Sequence, residues 1–319
     1  MEAGLAMSAK IIVVAYFIFS FGLPARASES ADVLPGPAAT EAAETAPRRG
    51  TLYRIRHRDK TSYLFGTVHM GKESFFPLEP EVRHALAASA RLVIELDIRE
   101  HVRFQAALAK HGVYEAGTDV RQHLSEPTLR KLGRALRQAG MEPEAVARYK
   151  PWLVANLLLG LELEQHGFQR SQGVENYLLA AAIAQQKPVL ELESADYQLA
   201  LFDTMDDAQQ ETYLLESLAD LDDGNSLKRN RGLIEAWNSA DPREIEQALR
   251  QATGGGTVSS AFMQRTLLDK RNPEMAATIE HIMQDDQGAF IGVGLLHMVG
   301  DNGLPQLLSQ RGYRVEKIY

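Results

Sequence analysis

Two histidines stand in nearly the same context far apart in the chain. His69 closes the run Tyr63-Leu64-Phe65-Gly66-Thr67-Val68-His69, and His297 closes Phe290-Ile291-Gly292-Val293-Gly294-Leu295-Leu296-His297. In both, an apolar run meets a glycine, the histidine follows three residues later, and a methionine comes next. Short apolar runs bounded by glycine read as buried strands. Each imidazole is therefore expected just past the carboxyl end of a core strand, where open α/β sheets place their ligand crevices. One such histidine would ordinarily be a hydrogen-bonded core group. Two in matching contexts are expected to meet in space.

Carboxylates repeat the theme. Val93-Ile94-Glu95-Leu96-Asp97 and Val189-Leu190-Glu191-Leu192-Glu193 each carry an acid inside or at the end of an apolar strand. Such a charge is costly unless it is paired, hydrogen-bonded or bound to a metal. Glu95 reads either as one arm of a buried salt bridge or as a site residue. Glu193 precedes Ser194-Ala195-Asp196, so a helix N-cap contact competes with a site role there. Its polar neighbours also suggest that water reaches it more easily than Glu95.

The elements that must position these groups can be read in order. Leu52–Arg56 and Thr61–Phe65 form a hairpin about a polar turn at Arg58-Asp59-Lys60. A helix over Glu81–Ser89 leads to the Arg91–Asp97 strand. From Arg99 to about Gly167 the pattern is helical throughout, and its apolar stretch Leu157-Leu158-Leu159 reads as core packing or a subunit contact. Helix Asn176–Gln186 precedes the second acidic strand. Helices then cover Asp196–Ala219, Leu227–Asn238, Arg243–Gln251, Ala261–Lys270 and Glu274–Gln284, with Gly254-Gly255-Gly256 as a loop. The strand into His297, a short helix over Asp301–Gln310 and a closing strand over Gly312–Ile318 follow. The fold class is α/β: a single mixed β-sheet flanked by helices, with a helical insertion at about 99–167 in the middle of the chain. That insertion carries no residue assigned to chemistry and is expected to cover the crevice as a lid or to shape substrate access.

Composition narrows the chemistry. Of 319 residues, 45% are hydrophobic and 24% charged, and the net charge is −8. With no basic stripe, nucleic acid is not an expected partner. There is no cysteine, so any bound metal must rely on histidine and carboxylate ligands. Lys10, the apolar run Ile11–Leu23 and Ala25-Arg26-Ala27 make the three-part pattern of a secretory signal peptide over residues 1–27. Met7 is an alternative start. A mature chain beginning near Ser28, in the periplasm or secreted, is expected, with no stable membrane insertion after cleavage. Residues 28–50, rich in Ala, Pro, Glu and Thr, read as a disordered linker.

An ordered series of motifs resembles the TraB/GumN family, which includes the TraB/PrgY pheromone-shutdown proteins and the Tiki-like metalloproteases. The series is Gly66-Thr67-Val68-His69, Glu95-Leu96-Asp97, Gly173-Val174-Glu175, Leu192-Glu193-Ser194 with Gln198, Arg271-Asn272, and Gly294-Leu295-Leu296-His297 followed by Gly300, Gly303-Leu304 and Gly312-Tyr313. It spans Thr51–Tyr319. Ser194 stands where Thr is more usual, and Glu175 where many members carry Asp.

The resemblance implies a divalent metal ion (Mn, Co or Zn) held by His69, Glu95 and His297, activating water for hydrolysis of a peptide or small-molecule substrate. Glu193 would then serve as general base or in support of the ligands, and Arg271 would stabilise a developing oxyanion or pair with a core carboxylate. Two other functions use the same crevice: capture of a peptide without catalysis, and a metal-free hydrolysis in which one histidine activates water, as in erythromycin-esterase-like relatives.

Overall fold

Alternating apolar residues make Leu52–His57 (β1) and Lys60–Thr67 (β2) a hairpin, with Leu52 opposite Phe65 and His57 opposite Lys60. In the computed structural model, which describes residues 47–284 and 287–319, this hairpin is one side of a larger sheet. Arg91–Ile94 (β3), Val189–Glu191 (β4), Ala289–Gly294 (β5) and Arg314–Lys317 (β6) join it in the order β4-β3-β5-β2-β1-β6. Four strands run parallel, β4, β3, β5 and β2, while β1 pairs antiparallel with both β2 and β6. The sheet is mixed and flanked by helices, as the sequence predicts.

Side chains alternate across a strand, and both faces here are buried. Phe65, Leu92, Ile94 and Phe290 pack on one face with Leu86, Leu178 and Trp237. Leu64, Val93, Ile291 and Val293 pack on the other with Met275, Ile279 and Leu304. Parallel strands covered on both sides read as continuous apolar runs, and every residue of β5 is buried.

A third core is built mainly from helices. It joins Phe104, Leu108 and Trp152 of the 99–167 block to Phe202, Tyr213, Phe262 and Leu267 from later in the chain. Trp152 stacks on Phe202 with ring centroids 4.3 Å apart, and Phe202 meets Phe262 at 5.0 Å. The expected insertion is thus not closed on itself, because its apolar faces are completed by residues of 195–268. Helix Pro151–Gln165 is buried along most of its length, including Leu157, Leu158 and Leu159, which settles that stretch as core packing.

The expected signal peptide and nearly all of the expected linker lie outside the described residues. The linker's last residues are not loose. Arg49 is buried and donates to Glu79 at 2.5 Å, and the Gly50 amide donates to the Trp237 carbonyl at 2.5 Å. The folded part therefore begins ahead of Thr51. Among the described residues, no helix is long and apolar enough to cross a membrane.

Candidate functional site

The four parallel strands end at one edge of the sheet, and each delivers a singled-out residue there. His69 lies two residues past β2, Glu95 one past β3 and Glu193 two past β4. His297 sits in the 3-10 turn Leu295–Met298 directly after β5. The strands carrying the two histidines are hydrogen-bonded neighbours, with Thr67 opposite Gly294. Their common strand–glycine–histidine pattern thus becomes a common position. Glu95 is corrected in one respect: it follows its strand rather than lying inside it.

Gly294 marks the meeting point. A β-carbon placed there would stand 3.2 Å from Glu95 Oε1, 3.6 Å from His69 Nε2 and 3.6 Å from His297 Cδ2. The Gly294 amide donates to Glu95 Oε1 at 2.6 Å, and His297 Nε2 is 3.9 Å from the same oxygen.

Each imidazole is oriented through Nδ1. His69 Nδ1 is 3.0 Å from Glu175 Oε1, which also accepts from the Thr67 hydroxyl. Glu175 lies in the first turn of helix Val174–Ala184, whose first amide donates to the Val68 carbonyl at 2.9 Å. His297 Nδ1 is 2.5 Å from Asn272 Oδ1. The Asn272 amide nitrogen donates to the Asn302 carbonyl at 2.7 Å, which fixes the amide so that its oxygen must accept. His297 therefore carries its proton on Nδ1 and its lone pair on Nε2. Glu175, Thr67 and Asn272 were given no role by sequence reasoning. The signal available was that all three stand in the ordered motifs that carry the family resemblance.

Arg271 is the hub of the carboxylates. Its guanidinium donates to Glu95 Oε2 at 2.5 Å and to Glu193 at 2.7 to 3.1 Å. Glu193 Oε2 also accepts from Gln198 at 2.8 Å. The Glu193 side chain is 4% exposed, against 10% for Glu95, so the expectation that water reaches Glu193 more easily is overturned. Folding turns its carboxylate inward to the guanidinium. For Arg271, the pairing with core carboxylates is the arrangement seen.

These contacts set the charges. Burial works against a charged His69, but the Glu175 carboxylate, its hydrogen bond and the charge of Glu95 outweigh it and push the imidazole up to about 9. Burial dominates at His297 and, helped by Arg271 and His69 against Glu95, takes it down to about 3. Burial alone would raise Glu95; Arg271, the two histidines and the Gly294 amide pull it down to about 2. Burial likewise opposes ionisation of Glu175, and His69 and Thr67 overcome it, leaving its pKa below the ordinary value. Arg271, disfavoured by burial, is raised by its two carboxylates.

A cavity of about 70 Å³ opens at this edge, with His69, His297 and Arg271 as polar wall residues. Its apolar wall includes Leu233 and Ile234 of helix Asn225–Ser239 and Met263, Leu267 and Leu268 of the π-helical stretch Met263–Lys270. Among the described residues lining it, none comes from the 99–167 block. The lid expected from that block is supplied by helices after residue 225 instead.

The donor types suit a divalent cation, since buried Glu95 and Glu193 share one guanidinium and Glu175 pairs with His69, which leaves a net negative charge. The spacing is less accommodating. Among the described residues, no group of three or more His, Asp or Glu side chains is arranged to hold a metal ion, and both oxygens of Glu95 already accept hydrogen bonds.

The chain that carries this geometry is similar in sequence to known proteins. The profile of the TraB/PrgY/gumN family covers residues 51–317, and the chain belongs to that family. Among curated proteins it is 26% identical over 264 residues to the uncharacterized protein YbaP of Shigella flexneri, covering 81% of this chain and 90% of that one. It is 25% identical over 252 residues to YbaP of Escherichia coli strain K12, covering 77% and 87%. No solved structure matches the chain.

Proposed function

We propose that this chain is an exported metal-dependent hydrolase of peptidase type, with His69, His297 and Glu95 holding a divalent ion. The observation that supports it is the orientation of the two imidazoles: each is held at Nδ1 by an oxygen acceptor and turns its Nε2 edge toward Glu95 around Gly294. Metal-ligating histidines are held in this way by carboxylates and carbonyls behind them. When bound, a divalent ion supplies a water of lowered pKa and polarises a scissile carbonyl.

The other residues hold the site in register. Glu175 and Thr67 fix His69, and Asn272 fixes His297. Arg271 keeps Glu95 ionised and, as a wall residue of the cavity, faces charge that develops there. Glu193 and Gln198 anchor Arg271, the supporting one of the two roles the sequence offers for Glu193. Leu233, Met263 and Leu267 keep bulk water out.

One observation favours a metal-free alternative: Glu95 already spends both oxygens on Arg271 and the Gly294 amide. On that reading His297 Nε2, with its lone pair directed by Asn272, takes the proton of the attacking water. A single comparison separates these readings. Protein purified without chelator is assayed for metal and for hydrolysis of fluorescein-labelled casein and of a peptide mixture. The expected result is a stoichiometric divalent ion and measurable cleavage, both lost in His69→Ala and His297→Ala. Cleavage without metal selects the histidine mechanism. Neither metal nor cleavage in the wild type leaves a peptide-binding protein.

A further inference from the structure

The cavity at the histidines, about 70 Å³, holds a reacting group and a few waters, since one water occupies roughly 30 Å³ in the liquid. Ligand pockets are usually about 300–1,000 Å³, so most of any substrate must lie elsewhere. A second chamber of about 600 Å³ adjoins it, lined from helices Asp207–Asp222, Asn225–Ser239, Pro242–Thr253 and Val258–Phe262. The two share Asn230, Leu233, Met263, Leu267 and Leu296 as a common wall. Leu296 directly precedes His297 in the same turn.

We propose that this chamber binds the part of the substrate extending away from the reacting bond, and that this part is an uncharged, apolar peptide segment. The inference rests on the reading of the histidine cluster as the reacting site. Its chemistry follows from what the chamber walls have already spent. Both oxygens of Glu216 accept from backbone amides, of Val258 at 2.9 Å and Ser259 at 2.8 Å. Asp220 pairs with Arg229, and Arg250 with Glu246. A charged ligand group would therefore find the wall's carboxylates and guanidiniums already partnered. Leu159, Ala248 and Phe262 offer apolar wall. Gly254 and Gly255, also in the wall, present main chain without side chains.

Binding can be read without turnover. The probe is N-phenyl-1-naphthylamine, a neutral apolar fluorophore, displaced by an N-acetylated, C-amidated tetrapeptide of Ala and Leu. Wild type is expected to bind the probe and release it to this peptide, and not to matched peptides carrying Lys or Glu. Ala252→Trp, which fills the chamber from its wall, should weaken probe and peptide tenfold or more, whereas Val102→Ala, at an exposed position away from both cavities, should bind both as wild type does. Undiminished binding by folded Ala252→Trp, or equal displacement by the charged peptides, overturns the proposal. Should that variant not fold, amide hydrogen exchange of the wild type decides. Slowed exchange at residues 254–260 on peptide addition supports the chamber, and unchanged exchange there overturns it. Displacement that persists in a protein with no hydrolytic activity sinks the catalytic reading while supporting the chamber as a binding site.

Discussion

Arg271 is the residue on which the site's electrostatics turn. Its side chain is 3% exposed and pairs with two buried carboxylates, those of Glu95 and Glu193. Breaking a buried pair by removing one partner costs about 3–5 kcal/mol, because the charge left behind stays desolvated. Arg271→Ala is therefore expected to lose stability of that order in urea unfolding. Adding Glu95→Gln and Glu193→Gln to it should restore part of the loss, since neutral amides need no counter-charge. A triple variant as unstable as Arg271→Ala would show that packing of the long side chain, rather than charge, was at stake. The sequence left Glu95 open between salt bridge and site. The structure shows the salt bridge, with one oxygen on the guanidinium and the other toward His297.

At the scale of elements, the start of helix Val174–Ala184 is fitted against the loop that carries His69. A β-carbon on Gly173 would stand 2.5 Å from the His69 carbonyl oxygen, closer than side chains tolerate against backbone. Gly173 has φ −64°, so close approach is what requires glycine there, not its backbone angle. Gly173→Ala must push the helix and the loop apart, separating Glu175 from His69. The expected outcome is a cost of about 1–3 kcal/mol and a tenfold or greater fall in casein hydrolysis. Unchanged hydrolysis would mean that the loop adjusts without moving the imidazole. The sequence placed a helix at this point through its Gly-Val-Glu opening. It had no means of showing that the glycine faces a histidine a hundred residues earlier.

For the molecule as a whole, Trp237 joins parts of the chain that composition alone would keep apart. Its indole N–H donates to the Gly66 carbonyl at 2.8 Å, its own carbonyl accepts from Gly50, and its ring meets Phe75 with centroids 5.2 Å apart. The start of the folded chain, the β2 strand and helix Asn225–Ser239 are thereby held together. Trp237→Phe keeps most of the apolar surface but leaves the buried Gly66 carbonyl without that donor, a loss of about 1–3 kcal/mol. A urea midpoint indistinguishable from wild type would show that another donor takes its place. Local patterns in the sequence determined the strands, the mixed α/β class and the expectation that His69 and His297 meet, because apolar runs, glycine punctuation and period-two alternation are properties of neighbouring residues. Tertiary structure alone decided which groups each charge faces: that Arg271 clamps Glu95 and Glu193, that Glu175 and Asn272 aim the imidazoles, and that helices after residue 225 cover the cavity. Those partners lie from 25 to 176 residues apart in sequence, and no local pattern encodes which buried donor a distant acceptor will find.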